Sequence, residues 1–252
     1  MAKFSIIVPF YNRYDLTHRC LSDIYKFLYG EDIEVILIND ASIETDCASG
    51  VAWWQKQVDK TFPILYHTNS ENGGFGKSMN NGAKIANGDV LIFYSNDIVC
   101  SGNFIPELRQ LLSRDDKVLI GNEVIWFPGG WNEFDIEGKH IVIPYANGWF
   151  LSCTREVWIN IGGFDWKTFG RMDYEDVDVS TRAIELGYNI VALNSKKIVH
   201  AHQGSTVDTL KIDRMAHTKQ NRIKFIAKWA DRLTDIALRL EKNRNDRNTD
   251  ST

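Results

Sequence analysis

Four short stretches carry the residue types that chemistry needs. ENGGFGKSMNNG, residues 71–82, resembles a phosphate-binding loop because Gly76-Lys77-Ser78 matches the end of a P-loop. Its spacing rules that out, since Glu71 stands where the first glycine is required. A dinucleotide fingerprint fails too, with Met79 in place of the third small residue. What remains is a glycine-rich turn opening a helix, where backbone N–H groups, the helix dipole and Lys77 suit an anion. Ser95-Asn96-Asp97 sets a carboxylate at the end of the apolar run Val90–Tyr94. One carboxylate together with phosphate groups can hold Mg²⁺ or Mn²⁺, because such cations fill their shells with phosphate oxygens and water. His200 and His202, two positions apart in HAHQGST, would lie on one side of a strand. Tyr174-Glu175-Asp176 heads an amphipathic segment, where carboxylates serve either chemistry or the helix dipole.

The elements that must position these residues are legible in the pattern. Apolar runs at Phe4–Pro9, Ile33–Ile38, Ile64–His67 and Val90–Tyr94 suit buried parallel strands. Helical spacing recurs at Tyr14–Tyr29, Val51–Val58 and Lys77–Ala86 between them. The alternation predicts βαβ units with right-handed crossovers and a ligand site beyond the carboxyl ends of the strands. Tyr11 to Arg13, Asp40, Asn72 to Lys77 and Asp97 fall on that rim, which is large enough for a nucleotide. Residues 121–150 read as an irregular or antiparallel insertion, with helices following at Thr154–Ile161 and Glu175–Leu186 and a strand at Ile190–Leu193. From Thr218 to Leu240, apolar residues at Ile226, Trp229, Leu233, Ile236 and Leu240 define an amphipathic helix.

Composition narrows the class. A chain of 252 residues with 44% hydrophobic and 25% charged residues is that of a globular enzyme. It lacks an apolar run near the roughly 18–20 residues of a membrane span. Cys20, Cys47, Cys100 and Cys153 are far apart, which argues against a zinc site or disulfide framework and for the cytoplasm. The net charge of −4 divides unevenly, with 11 Lys/Arg against 5 Asp/Glu between Lys211 and Arg247. That basic tail suits either an anionic partner or a solvated helix face.

FSIIVPFYNR, EVILINDAS, ENGGFGKSMNNGAKIANGDVLIFYSND, IGGFD, YEDVDVSTRAIELGY and HAHQGST occur in an order that resembles the family 2 glycosyltransferases. The likeness covers about residues 4–206 and implies an α/β GT-A fold, a mostly parallel central sheet flanked by helices. It implies a transferase domain over 1–206, with a donor-binding half over 1–100 and a catalytic, acceptor-binding half over 101–206. Residues 207–252 would be a C-terminal helical extension. The implied reaction moves a sugar from a nucleotide diphosphate sugar, by family habit a UDP- or TDP-sugar, to an acceptor hydroxyl with inversion. Asp97 stands in the metal motif with only its last aspartate kept, and His200 or His202 would complete a Mn²⁺ or Mg²⁺ site or touch the diphosphate. Asp40 would bind the base; Pro9, Tyr11 and Arg13 would flank base, ribose or diphosphate; Gly73, Gly74, Gly76, Lys77, Asn80 and Asn96 would line the donor. Asp176 would be the general base and Glu175 a second carboxylate for the acceptor, with Asp178 structural.

The acceptor is expected to be a saccharide or lipid-linked saccharide, with Trp126, Phe127, Trp131, Trp149 and Phe150 either stacking on it or belonging to the core. A sugar-nucleotide nucleotidyltransferase and a non-catalytic glycan- or nucleotide-binding scaffold are the alternatives. PFYNR after the first strand argues against the former, and the intact YED against the latter. The basic helix leaves peripheral contact with a membrane, nucleic acid, a homodimer, or docking on its own domain as its uses.

Overall fold

The computed structural model describes residues 3–44, 46–58, 61–126, 128, 132–202 and 213–249. The first half alternates strands and helices: β1 (Phe4–Phe10), α1 (Tyr14–Phe27), β2 (Ile33–Asn39), α2 (Cys47–Val58), β3 (Ile64–Thr68), α3 (Gly74–Ile85), β4 (Val90–Tyr94). The short β5 (Ile98–Cys100), then α4 (Ile105–Arg114) and β6 (Val118–Gly121), lead into the insertion. There the chain forms β7 (Val124–Ile125), β8 (Glu133–Ile136), β9 (Lys139–Val142) and β10 (Tyr145–Ala146), joined in antiparallel pairs. It continues through β11 (Phe150–Thr154), α5 (Arg155–Ile161), α6 (Trp166–Phe169), α7 (Glu175–Glu185), β12 (Asn189–Ala192), β13 (Ile198–His200) and α8 (Arg214–Thr249).

The central sheet has seven strands in the order β12-β6-β11-β4-β1-β2-β3. All neighbours are parallel except β11, which runs against β4 and β6. β1 and β2 are buried along their whole length, which is why FSIIVPF and IEVILIN read as nearly continuous apolar runs. Phe4, Ile6 and Val8 face α1, α2 and α4 on one side. Ile7, Ile36 and Ile38 face α3, α5 and α7 on the other. The helices thus cover both faces, and the rim beyond the strand ends stays open for loops.

A third core lies beside the sheet. α8 starts four residues before the expected Thr218 and sets Phe225, Trp229, Leu233 and Ile236 against Phe134 and Ile141 of the insertion and Tyr174 and Val177 at α7. Several basic residues of α8 turn to its own domain: Arg222 bonds the Tyr174 hydroxyl, Lys228 lies 2.8 Å from both Asp165 and Asp178, and Arg232 pairs with Glu185. Asp178, fully buried, also accepts from Trp229 Nε1 at 2.8 Å and pairs with Arg182, which fits a structural role. Among the described residues no helix is long and apolar enough to cross a membrane.

Trp229→Ala would empty a site that is 1% exposed and leave Asp178 without its indole partner. The expected loss is about 3–5 kcal/mol of stability, read from urea or thermal unfolding.

Candidate active site

The site begins where β1 and β4 part. β1 pairs with β2 to its last residue, Phe10 opposite Asn39, but with β4 only as far as Ile7 opposite Phe93. β2 and β3 lie to one side of β1 and β4 to the other, so the crevice at the carboxyl ends is the switch point of the sheet. Pro9 is buried in β1 beside this crevice, and Tyr11 and Arg13 follow on its rim. Asn12 and Arg13 both take left-handed backbone, at φ 50° and 45°. Asn12 ties this loop to the one after β2, its Oδ1 accepting from the Ile43 and Glu44 amides at 2.9 and 3.3 Å. Arg13 makes a two-point ion pair with Asp15.

The glycine-rich turn has a different anion from the expected one. Asp40 Oδ1 accepts from Asn69 Nδ2 at 2.7 Å and Gly73 N at 3.0 Å, and its Oδ2 accepts from Gly74 N at 2.8 Å. Its carboxylate therefore sits on the N-terminus of α3, where helix dipole and free N–H groups favour negative charge. Asp40 in this structure clasps a loop, and the N–H groups it uses are not open to a donor phosphate. This clasp also starts α3 at Gly74, earlier than Lys77.

The neighbouring residues are likewise turned to their own chain. Gly74 has φ +82°, and a Cβ there would lie 2.3 Å from Arg171 Cα. At Gly76 a Cβ would press on Phe164 at 3.1 Å, and at Gly73 on the Lys77 side chain. Gly74 and Gly76 permit close approach of the segment leading to Glu175. Lys77 pairs with Glu71 at 2.8 Å over the Trp166 ring. Asn80 spans the Phe164 backbone, donating to its carbonyl at 2.8 Å and accepting from its N–H at 2.9 Å. Asn96 is buried and donates to Thr17 Oγ1 at 3.2 Å. Long-range packing and hydrogen bonds within the chain thus engage Gly74, Gly76, Asn80 and Asn96.

The metal candidates do converge. Asp97 Oδ1 accepts from Ser95 Oγ at 2.5 Å and stands 3.1 Å from His200 Nε2. The His200 ring lies 4.3 Å from that of His202 and stacks on Trp149, with centroids 5.4 Å apart and planes within 2°. His200 Nδ1 is buried without a hydrogen-bond partner. A carboxylate oxygen and imidazole nitrogens fit Mn²⁺ or Mg²⁺ once diphosphate oxygens and water fill the remaining positions. Glu44, Asp46 and Cys47 also bring ligand-type atoms within 4.8 Å of one another, at the start of α2. The two carboxylates there are exposed and suit the dipole of that helix.

Asp176 completes the site from the other side. Its Oδ2 accepts from Gly148 N at 3.0 Å and its Oδ1 from Val177 N at 2.9 Å. Gly148 adjoins Trp149, so the step Gly148-Trp149 touches the base candidate with one residue and the metal candidates with the other. A Cβ at Gly148 would come within 3.1 Å of Asp176 Cβ, so glycine eases this approach. Asp173 and Tyr174, at φ 64° and 74°, turn the chain into α7. Left-handed backbone at residues other than glycine costs of order 1–3 kcal/mol each and persists where surroundings enforce it.

Burial pushes the Asp176 carboxyl up to about 6, against the two backbone N–H groups that favour its charge. Burial and the adjacent Asp176 charge raise Glu175 well above the usual range, and its Oε2 is buried without a partner. Burial therefore raises both carboxyls above their ordinary values.

Comparison with known proteins follows from this geometry. The profile of the family described as Glycosyl transferase family 2 matches residues 5–172. The chain belongs to that family. This family 2 chain is 23% identical to a dolichol-phosphate mannosyltransferase of Pyrococcus furiosus, over 49% of its own length and 34% of that protein. It is 33% identical to a poly(ribitol-phosphate) beta-glucosyltransferase of Bacillus spizizenii, over 38% of its length and 15% of that protein. It thus spans about a third or less of these relatives. Among solved structures, the mannosyltransferase PcManGT from Pyrobaculum calidifontis, in complex with GDP-Man and Mn²⁺, superposes with a TM-score of 0.67 and 19% identity, covering 90% of this chain and 64% of that one. S. aureus TarS 1–349 in complex with UDP-GlcNAc gives 0.62 and 14%, covering 89% and 66%. These likenesses establish the GT-A fold.

Of the aromatic residues in the insertion, Trp149 and Phe150 are buried and Trp126 is 59% exposed, while Phe127 and Trp131 lie outside the described residues. Trp149 thus serves as a wall of the site. Gly148 and Asn69 escaped the sequence reading, since a lone glycine or amide carries no spacing signal.

If Asp176 must be ionised to act, turnover rises with pH through about 6 and levels above it. A kcat–pH profile measured at saturating donor checks this; an acid limb centred near an ordinary carboxylate value would contradict it.

Proposed function

We propose that this chain transfers a sugar from a nucleotide diphosphate sugar to an acceptor hydroxyl with inversion at the anomeric carbon. The observation that carries the reading is the Gly148-Trp149 step, which brings Asp176 and the Asp97–His200 pair to the same rim. The donor lies over the β1–β4 crevice, with Tyr11 and Arg13 beside its nucleoside and its diphosphate toward Asp97. PcManGT, solved with GDP-Man and Mn²⁺, supports such a donor and cation on this fold.

The reaction is one displacement. The acceptor oxygen attacks the anomeric carbon and its proton passes to a free lone pair of the Asp176 carboxylate. The bond from that carbon to the diphosphate oxygen breaks, and the nucleoside diphosphate leaves with the electron pair. A divalent cation held by Asp97 with His200 or His202 would neutralise the charge growing on that leaving group. Glu175 is the second carboxyl, placed to hydrogen-bond the acceptor or the transferred sugar. Attack from the face opposite the leaving group inverts the centre.

For the acceptor we propose a hydroxyl on a saccharide, or on a lipid- or polymer-linked phosphate. Relatives named for a dolichol phosphate and a poly(ribitol phosphate) support that class. With such an acceptor the enzyme would work in the cytoplasm, at or near the inner face of a membrane.

The test is release of nucleoside diphosphate from a panel of nucleotide sugars with Mn²⁺, Mg²⁺ or EDTA, alongside calorimetric donor binding. One donor should turn over only with metal. Asp176→Asn should retain donor binding and lose about 10²–10⁴-fold in kcat. Asp97→Ala should lose the metal dependence along with turnover. Absence of binding by every nucleotide sugar would favour a non-catalytic scaffold.

A further inference from the structure

The loop that delivers Glu175 and Asp176 is held from α8, beyond the end of the family match at residue 172. Asn221 is fully buried, and its Nδ2 lies 2.7 Å from the Phe169 carbonyl oxygen, 2.9 Å from that of Met172 and 3.0 Å from that of Asp173. Three carbonyl oxygens about one end of the amide require that end to be the NH₂ group. The other end, Oδ1, accepts from Lys224 Nζ at 3.1 Å. One turn earlier, Thr218 Oγ1 donates to Asp173 Oδ2 at 2.6 Å, His217 Nε2 lies 3.0 Å from the Met172 carbonyl oxygen, and Arg214 pairs with Asp173 at 3.2 Å. Arg214, His217, Thr218 and Asn221 form one polar stripe at helical spacing, aimed at residues 169–173.

These bonds end where the backbone turns left-handed. Asp173 is gripped through both its carbonyl and its carboxylate, and with Tyr174 it takes positive φ immediately before Glu175 and Asp176. Without that grip the two residues would relax toward ordinary backbone and swing the head of α7. We propose that Asn221 is a positioning residue for the transfer reaction, fixing the 169–173 loop from α8 and so setting where Glu175 and Asp176 stand. The inference deepens the reading of Asp176 as base and rests on it. In this reading the donor lies over the β1–β4 crevice, so the effect is expected mainly on the chemical step.

The test uses the full chain with Asn221→Ala and the milder Thr218→Val, beside Asp176→Asn. Hydrogen exchange at residues 173–178 should speed up at least about 10-fold in Asn221→Ala, with β1 and β4 unchanged. Its kcat should fall about 10–100-fold while the donor KM stays within about 3-fold, because a small misplacement of a reacting group is enough. Thr218→Val should move both in the same direction by less, and it keeps the test decisive if Asn221→Ala does not fold. Unchanged exchange in both variants, or a loss expressed in donor KM alone, would overturn the proposal. If Asp176→Asn keeps full turnover, the base reading fails, and the exchange result still decides whether Asn221 holds the loop.

Discussion

A buried carboxylate needs hydrogen-bond donors, and Asp176 obtains two from backbone: Gly148 and Val177. Much of the chain around Asp176 is arranged to meet that requirement. Gly148, lacking a side chain, brings its N–H to the carboxylate without crowding it, and the chain turns left-handed at Asp173 and Tyr174 to present it. α8 then offsets the strain by binding the loop carbonyls and burying its apolar face in the third core. Removing water from the carboxyl raises its proton affinity, and the same packing that positions the group tunes it.

The donor side follows a parallel logic. Loops beyond strand ends have few ladder partners, so polar side chains take over their fixing. Asp40 grips the N-terminus of α3, Asn12 joins the loops after β1 and β2, and Asn80 bridges α3 to Phe164. The rim is a set of loops bonded to each other across 30 to 84 residues of sequence. The two halves meet at Gly148-Trp149, where the carboxylate network ends and the imidazole stack begins.

The fold was legible to an unusual degree because its signals are local. The strands β1, β2, β3 and β4 were found within a residue or two, since strands covered on both faces are nearly continuously apolar, and the edge strand β3 keeps a short apolar run. The amphipathic face of α8 announced itself through its spacing, and its docking on the parent domain was one of the uses left open. Asp97 and His200 lie in contact, with His202 edge-on to His200, because β13 pairs with β5 and returns residues 198–200 alongside Ile98–Cys100. Harder to read were the glycines and amides. Gly74 beside a helix start suggests a phosphate, and only the approach of Arg171 shows which backbone it admits. Asn80 and Asn221 donate and accept with equal ease toward a ligand or toward their own chain.

Sequence by itself determined the order of the elements, the placement of Asp97 and Asp176 at strand and helix ends, and the family. Local periodicity and chain connectivity are enough for those. Tertiary structure alone decided that Asp40 serves the helix N-terminus, that Gly148 serves Asp176, and that α8 holds the 169–173 loop. Those are choices of hydrogen-bond partner between segments distant in sequence. Close packing makes them, because each buried donor or acceptor takes the partner the surrounding core brings within reach.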